Sequence, residues 1–298
     1  MAFRFFIELL RPRQWIKNLF VVAPLVFSFS FFEPDKIGMS FAAFVFFCAM
    51  SSGIYILNDI VDVKADRAHP TKRHRPIARG AVSVTQALAA AVVLVSGVFF
   101  FSSFIFGVPF IISLAAYFVL NLLYSFWLKN VFLLDMFFVS IGFVIRVIAG
   151  VIAVGAVLSP WILGVTFFIA LFIISSKRFQ EFKLVLVHSR RPVMVFYTQE
   201  FLRQIMFVSL ILTISIFLFY AFLEVKSTIF LVTVLPVTYG LFRFLWLVEE
   251  GSATSDNPTD IMFQDRQLQL AVALFIVFVI LIFSLRFTSY AALFFILS

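Results

Sequence analysis

The chain has 298 residues, 63% of them hydrophobic and 13% charged. Soluble domains carry about 25% charged residues, so an ordinary soluble domain is excluded and the length reads as membrane spans. The net charge of +8 fits cations retained on the cytoplasmic side of a membrane rather than nucleic-acid binding. The single cysteine, Cys48, lies in an apolar run, which excludes intrachain disulfides and cysteine metal sites.

A span needs about 20 mostly apolar residues. Nine segments qualify, at 16–32, 38–59, 84–105, 108–127, 131–153, 158–176, 204–223, 228–248 and 268–286. The first follows a basic N-terminus with Arg4, Arg11, Arg13 and Lys17. Its apolar run is too long for a signal-peptide core and lacks a small-residue cleavage site, so it is expected to stay. Glu33-Pro34-Asp35 separates it from the second segment, which runs into NDIVDVKADRAHPTKRHRPIARG, Asn58 to Gly80. Ser83 with Gln86 predicts a capping box opening the third. Phe106 and Gly107, with Pro109 at a helix start, divide the third from the fourth. Ser159-Pro160 opens the sixth, and the turn-rich stretch from Ser252 to Pro258 ends the eighth.

The cations set the orientation. With the N-terminus inside, 18 Lys and Arg fall on the cytoplasmic side and 3 (Lys36, Lys226 and Arg286) on the other, while Arg146 and Arg243 lie within spans. The expectation is an all-α integral membrane protein forming one membrane domain over 1–298. Its N-terminus is cytoplasmic, its C-terminus lies on the opposite side, and its polar loops at about 60–83 and 177–203 are cytoplasmic.

The run from Asn58 carries the most chemistry. At about 100° per residue, Asn58, Asp59, Asp62 and Asp66 share one helical face over two turns. Three carboxylates this close repel, and without a counter-charge one or more would take up a proton. A hard cation such as Mg²⁺ uses this kind of oxygen set, completed by waters and substrate phosphates. Asp59, Asp62 and Asp66 are therefore the candidate catalytic carboxylates and, with Asn58, the candidate metal ligands. His69-Pro70 ends the helix. Lys72, Arg73 and Arg75 follow between Pro70 and Pro76, and guanidinium forks with a lysine point charge suit phosphate.

This run resembles the first aspartate-rich motif of the UbiA superfamily of intramembrane prenyltransferases, N-D-x-x-D-x-x-x-D. More narrowly it is similar to the branch of decaprenyl-phosphate phosphoribosyltransferases. Further matching stretches are RPRQWIKN at Arg11 to Asn18, YSFWLK at Tyr124 to Lys129, LLD at Leu133 to Asp135, SKR at Ser176 to Arg178 and YTQEFLRQ at Tyr197 to Gln204. The resemblance implies a nine-helix UbiA-type bundle over the whole chain and, more weakly, a homo-trimer. Typical aromatic prenyltransferases of the superfamily carry a second cluster, D-x-x-x-D, after the sixth span. Here that place reads SSKRFQEFK, with Lys177 and Arg178 where carboxylates are expected and Glu181 one turn on. Two acidic clusters suit one diphosphate. One acidic and one basic cluster suit a donor with a metal-bound diphosphate and a separate monophosphate, as in phosphoribosyl pyrophosphate.

The implied reaction is Mg²⁺-dependent transfer of 5-phosphoribosyl to a polyprenyl phosphate in the bilayer, a step toward a lipid-linked arabinose donor for cell-envelope glycan. Lys72, Arg73, Arg75, Lys177 and Arg178 would share the 5-phosphate and the acceptor phosphate. Lys17, Tyr124, Lys129, Glu181, Tyr197 and Arg203, all within the matching stretches or motif loops, join them as candidate substrate contacts. So do Asp135 and Arg146, because an intramembrane charge normally faces the protein interior and has a partner. Tyr117, Asn121 and Tyr124 share one helix face, and Tyr239 with Arg243 reads as a structural pair. The rival readings are an aromatic prenyltransferase of the same fold, and a non-catalytic lipid-binding protein or transporter.

Overall fold

A computed structural model describes residues 2–69, 71–183, 192–250, 261 and 264–297. The described residues are helices and turns, without strands. By contacts the chain divides into two compact units, Met1–Leu158 and Ser159–Ser298.

The first unit begins with α1 (Ala2–Leu10), a 3₁₀ stretch (Pro12–Asn18) and α2 (Leu19–Phe27). These are followed by α3 (Pro34–Val61), α4 (Val63–Ala68), α5 (Val84–Ile105), α6 (Val108–Phe126) and α7 (Leu134–Val154). The expected punctuation appears. Pro34 opens α3. Ser83 and Gln86 exchange both capping-box bonds, at 3.1 and 3.2 Å, at the start of α5. α7 stops at Gly155, whose φ of 65° is the left-handed conformation that glycine adopts cheaply.

The expected first segment differs in length. Its helix α2 has nine residues with Pro24 inside, so at 1.5 Å per residue it reaches about 14 Å, half the hydrocarbon core of about 30 Å. The other eight expected segments are helices long and apolar enough to cross a membrane. α2 packs instead on α7 and α3. Gly150 permits that approach, since a Cβ there would lie 2.0 Å from the Val21 carbonyl oxygen.

Around this junction Phe47, Met50 and Ile54 of α3 pack with Phe110, Leu114 and Tyr117 of α6, Ala149 of α7 and Val21 of α2. A second cluster joins Leu9 of α1 to Ile56 of α3, Ala87 and Ala91 of α5, and Ile77 and Val82 of the loop between α4 and α5. That cluster anchors the polar loop against the end of α3. Large apolar side chains such as Phe101, Phe104 and Ile112 stay exposed on the outer faces of α5 and α6, as a lipid-contacting surface requires.

The second unit holds α8 (Pro160–Lys183), α9 (Gln199–Phe219), α10 (Val234–Glu250) and α11 (Arg266–Leu297). α8 lies along α9, and α10 packs on α11. Thr198 caps α9 by accepting from the Phe201 amide at 3.1 Å. The expected turn at Ser252 to Pro258 lies outside the described residues.

Candidate active site

The acidic run does not form one uninterrupted helix. α3 ends at Val61, Asp62 takes φ −89° and ψ 4°, and α4 resumes at Val63. The i to i+4 bonds nevertheless continue through it, from the Asp62 amide to the Asn58 carbonyl (2.9 Å) and from the Asp66 amide to the Asp62 carbonyl (2.8 Å). The bend distributes four side chains among different partners. The Asn58 amide oxygen bonds the Ser125 hydroxyl of α6. Asp62, 39% exposed, takes Lys129 at 2.7 Å. Asp59 and Asp66 are buried, and both meet Arg75 Nη1, Asp59 Oδ1 at 3.0 Å and Asp66 Oδ2 at 2.6 Å. Asp59 Oδ1 also accepts from Arg11 Nη2 at 2.5 Å.

Three carboxylates and three cations are thus interleaved, and this arrangement resolves the repulsion expected from the sequence. Charge-assisted bonds of this kind are about twice as strong as neutral ones. Each is partly buried, so it is less screened than a surface pair.

Several of these partners were not legible in the pattern. Arg11 lies 48 residues from Asp59. It ends α1 in the left-handed region with φ 52°, a conformation that costs a non-glycine residue about 1–2 kcal/mol. The turn carries its guanidinium over the Tyr55 ring, at 5.3 Å, and onto Asp59. Its place at the head of RPRQWIKN was the one available signal. Ser125 lies within YSFWLK, where a small polar residue carries no signal of its own.

The Pro70–Pro76 cations divide. Arg75 turns inward onto the carboxylates, while Lys72 and Arg73 lie in a 3₁₀ turn, Lys72–His74, held by His69, whose Nδ1 accepts from the Thr71 and Lys72 amides at 3.3 Å each. Pro70 itself lies outside the described residues. Arg79 pairs with Glu8 of α1 at 2.5 Å, closing the loop over the same end of the unit.

Deeper in the first unit, Arg146 of α7 is 5% exposed and meets neutral acceptors. Its Nε donates to Asn18 Oδ1 (2.8 Å), Nη2 to the Tyr117 hydroxyl (2.5 Å) and Nη1 to the Gly142 carbonyl (3.0 Å). The guanidinium also stacks over the Tyr117 ring at 4.5 Å. Asn18 continues the network to Ser51 at 3.1 Å and Cys48 at 3.3 Å. Asn121 donates to the Tyr117 carbonyl at 2.7 Å. Asp135, expected to face the protein interior, is fully buried at the start of α7. Lys17, half-buried in the 3₁₀ stretch ahead of α2, has its ammonium pulled down to about 8 by burial and then by the Arg146 and Arg11 guanidiniums. Nearby like charges disfavour the protonated form of a lysine.

In the second unit Arg178 is buried and pairs with Glu181 at 2.8 Å. Arg203 takes Glu249 at 2.9 Å and Glu200 at 3.4 Å and lies over the Phe179 ring. Lys183 bonds the Glu249 carbonyl. Tyr197 is buried near the Phe201 ring, with which it stacks. Tyr239 and Arg243, expected as a pair with each other, instead engage Gln267 and Asp265 at 2.8 Å each.

Among the described residues no three His, Cys, Asp or Glu side chains converge tightly enough to hold a metal by themselves. Asp59 and Asp66 do present oxygens to one common point, the Arg75 nitrogen. Mg²⁺ is commonly held by one or two carboxylates plus substrate phosphates and water, and that pair fits.

At the end of the long apolar helix α3, the first unit thus gathers carboxylates suited to a divalent ion and cations suited to phosphate. The chain belongs to the UbiA prenyltransferase family, whose profile matches residues 19–265. It is 36% identical over 281 residues to the decaprenyl-phosphate phosphoribosyltransferase of Mycolicibacterium smegmatis, covering 89% of this chain and 87% of that one. The enzymes of the same name from Corynebacterium glutamicum (35%, covering 89% and 82%) and Mycobacterium tuberculosis (34%, covering 89% of each) are similar to it as well. A solved UbiA homolog from Archaeoglobus fulgidus bound to DMAPP and Mg²⁺ matches with a TM-score of 0.70 over 94% of this chain and 99% of that one, at 17% identity. At that identity the likeness establishes the fold.

Proposed function

We propose that this protein transfers 5-phosphoribosyl from phosphoribosyl pyrophosphate to a long-chain, decaprenyl-type polyprenyl phosphate, releasing pyrophosphate. The observation that carries this reading is the similarity, over 89% of the chain, to enzymes named for phosphoribosyl transfer to decaprenyl phosphate. The cations at Lys177 and Arg178, in place of a second acidic motif, support it against an aromatic prenyltransferase. The active-site loops and the N-terminus are assigned to the cytoplasmic side of the cell membrane, where a water-soluble donor is available.

In the reaction the C1–O bond to pyrophosphate breaks, and its electron pair leaves with pyrophosphate. An oxygen of the acceptor phosphate forms the new bond to C1 from the opposite face and inverts that centre. The acceptor is already an anion at neutral pH, so no protein nucleophile is needed, and the work is positioning and electrostatics. Asp59 and Asp66 would hold magnesium together with phosphate oxygens and water, flanked by Asn58 on Ser125 and Asp62 on Lys129; the bound ion would supply Lewis-acid neutralisation of the departing diphosphate. Arg75 and Lys129 set the orientation of those carboxylates and stand ready for phosphate oxygens. Lys17 and Arg146 offer a cationic place for a further phosphate, which would relieve their mutual repulsion. Lys72 and Arg73 add phosphate-binding cations in the first unit, and Lys177 and Arg178 form the cationic motif of the second. Asp135 and Tyr124 serve as positioning residues in the first unit, and Glu181, which pairs with Arg178, does so with Tyr197 and Arg203 in the second.

Purified protein given labelled phosphoribosyl pyrophosphate, Mg²⁺ and polyprenyl phosphate is expected to yield a chloroform-soluble phosphoribosyl lipid. No such product would refute the reading, and prenylation of an aromatic acid would establish the alternative.

A further inference from the structure

The first unit balances its acidic cluster internally. Asp59, Asp62 and Asp66 are matched by Arg11, Arg75 and Lys129, each within 3.0 Å of a carboxylate oxygen. A divalent ion added alone would therefore carry its full charge into a neutral set. It would also have to replace Arg75 at the one point that Asp59 and Asp66 share. A divalent ion arriving with a diphosphate brings compensating anionic charge, and it gives the displaced guanidinium phosphate oxygens to bind, for which its fork is suited.

We propose that Arg75 is an exchange counter-ion. It competes with free divalent metal for Asp59 and Asp66, and it transfers to the diphosphate when the two enter together, so metal and donor bind with strong mutual dependence. This inference rests on the metal and diphosphate reading above and adds to it the order and coupling of loading. Thermodynamic linkage makes the dependence reciprocal: the factor by which diphosphate raises metal affinity is the factor by which metal raises diphosphate affinity.

The movement would be one of the side chain, since the Arg75 backbone is held by its amide on the Lys72 carbonyl (3.0 Å) and by the Arg79 amide on its own carbonyl (3.0 Å). Arg75 follows the 3₁₀ turn Lys72–His74 and has extended backbone angles, φ −60° and ψ 145°. Its side chain is 28% exposed, whereas Asp59 and Asp66 are 3% and 5% exposed. The carboxylates are buried and the Arg75 side chain reaches the surface. Asp59 keeps a second cation in Arg11 when Arg75 leaves.

Equilibrium dialysis of the purified full chain in detergent, with Mn²⁺ as the probe and with or without pyrophosphate, tests the proposal through metal uptake rather than turnover. Wild-type protein is expected to take up Mn²⁺ at least tenfold more tightly with pyrophosphate present. Arg75→Gln is expected to bind Mn²⁺ alone about tenfold more tightly than wild type and to lose most of the pyrophosphate dependence. Arg75→Lys, which keeps the charge, should retain weak binding of Mn²⁺ alone, and matched melting midpoints would show that both variants are folded. Arg75→Gln binding Mn²⁺ alone no more tightly than wild type would overturn the exchange while leaving the metal site standing. No Mn²⁺ uptake by wild type in either condition would overturn the metal reading itself.

Discussion

Tyr117→Phe isolates one link of the buried Arg146 network. The substitution keeps the ring that lies 4.5 Å from the guanidinium carbon and removes only the hydroxyl that accepts from Nη2 at 2.5 Å. Tyr117 is 3% exposed and Arg146 5% exposed, so water does not readily replace the lost acceptor. A hydrogen bond to a charged group contributes about 1.5–3 kcal/mol, and an unsatisfied buried donor costs a similar amount. The expected loss is about 2 kcal/mol. At roughly 2–4 °C per kcal/mol for a large domain, the melting midpoint in detergent should fall by about 4–8 °C. A double-mutant cycle with Arg146→Met sharpens the test. Once the guanidinium is gone, Tyr117→Phe should cost little, giving a coupling of about 1.5 kcal/mol or more. A Tyr117→Phe midpoint within 1 °C of wild type, or a coupling near zero, would refute the network.

Gly150→Ala should be more damaging than its size suggests, because the added carbon meets the Val21 carbonyl at 2.0 Å and Pro24 at 3.0 Å; overpacking of this kind costs about 1–3 kcal/mol, and an unchanged melting midpoint would contradict the close approach of α2 and α7. Asp62→Ala is expected to abolish phosphoribosyl transfer while the protein still inserts and folds, and wild-type turnover in that variant would remove Asp62 from the site. Lys17 gives a pH dependence. Its charge is lost near pH 8 in the folded protein and near 10.5 in the unfolded chain, so between those values the unfolded chain binds more protons and this residue's contribution to stability rises with pH. Phosphate affinity should move the other way, with KM rising several-fold from pH 7 to 9 in wild type and much less in Lys17→Arg; identical profiles would dismiss Lys17 as a phosphate contact.

The features that failed to show in the sequence share a cause. Helical phase placed Asn58, Asp59, Asp62 and Asp66 together, but it assumed one helix, and the bend at Asp62 divides them between α6, Arg11, Lys129 and Arg75. Arg11 and Asn18 looked like parts of a basic N-terminal motif. Their roles depend on a left-handed turn at Arg11 and on α7 bringing Arg146 to a residue 128 positions away. Periodicity reports which residues share a face, and it carries no information about which face of another helix they will meet.

By itself the sequence determined the membrane class, the nine helical segments, the capping box at Ser83, the break at Glu33-Pro34-Asp35, and the acidic and basic clusters at Asn58–Gly80 and SSKRFQEFK. Those are set by local composition, by hydrogen-bond demand in lipid and by side-chain chemistry, which act over a few turns. Only the tertiary structure decided that α2 is too short to span alone, that Arg146 rests on Asn18 and Tyr117, and that Arg75 occupies the point where Asp59 and Asp66 meet. Each of these depends on backbone approach and charge pairing between segments distant in the chain, and such contacts exist only once the helices have packed.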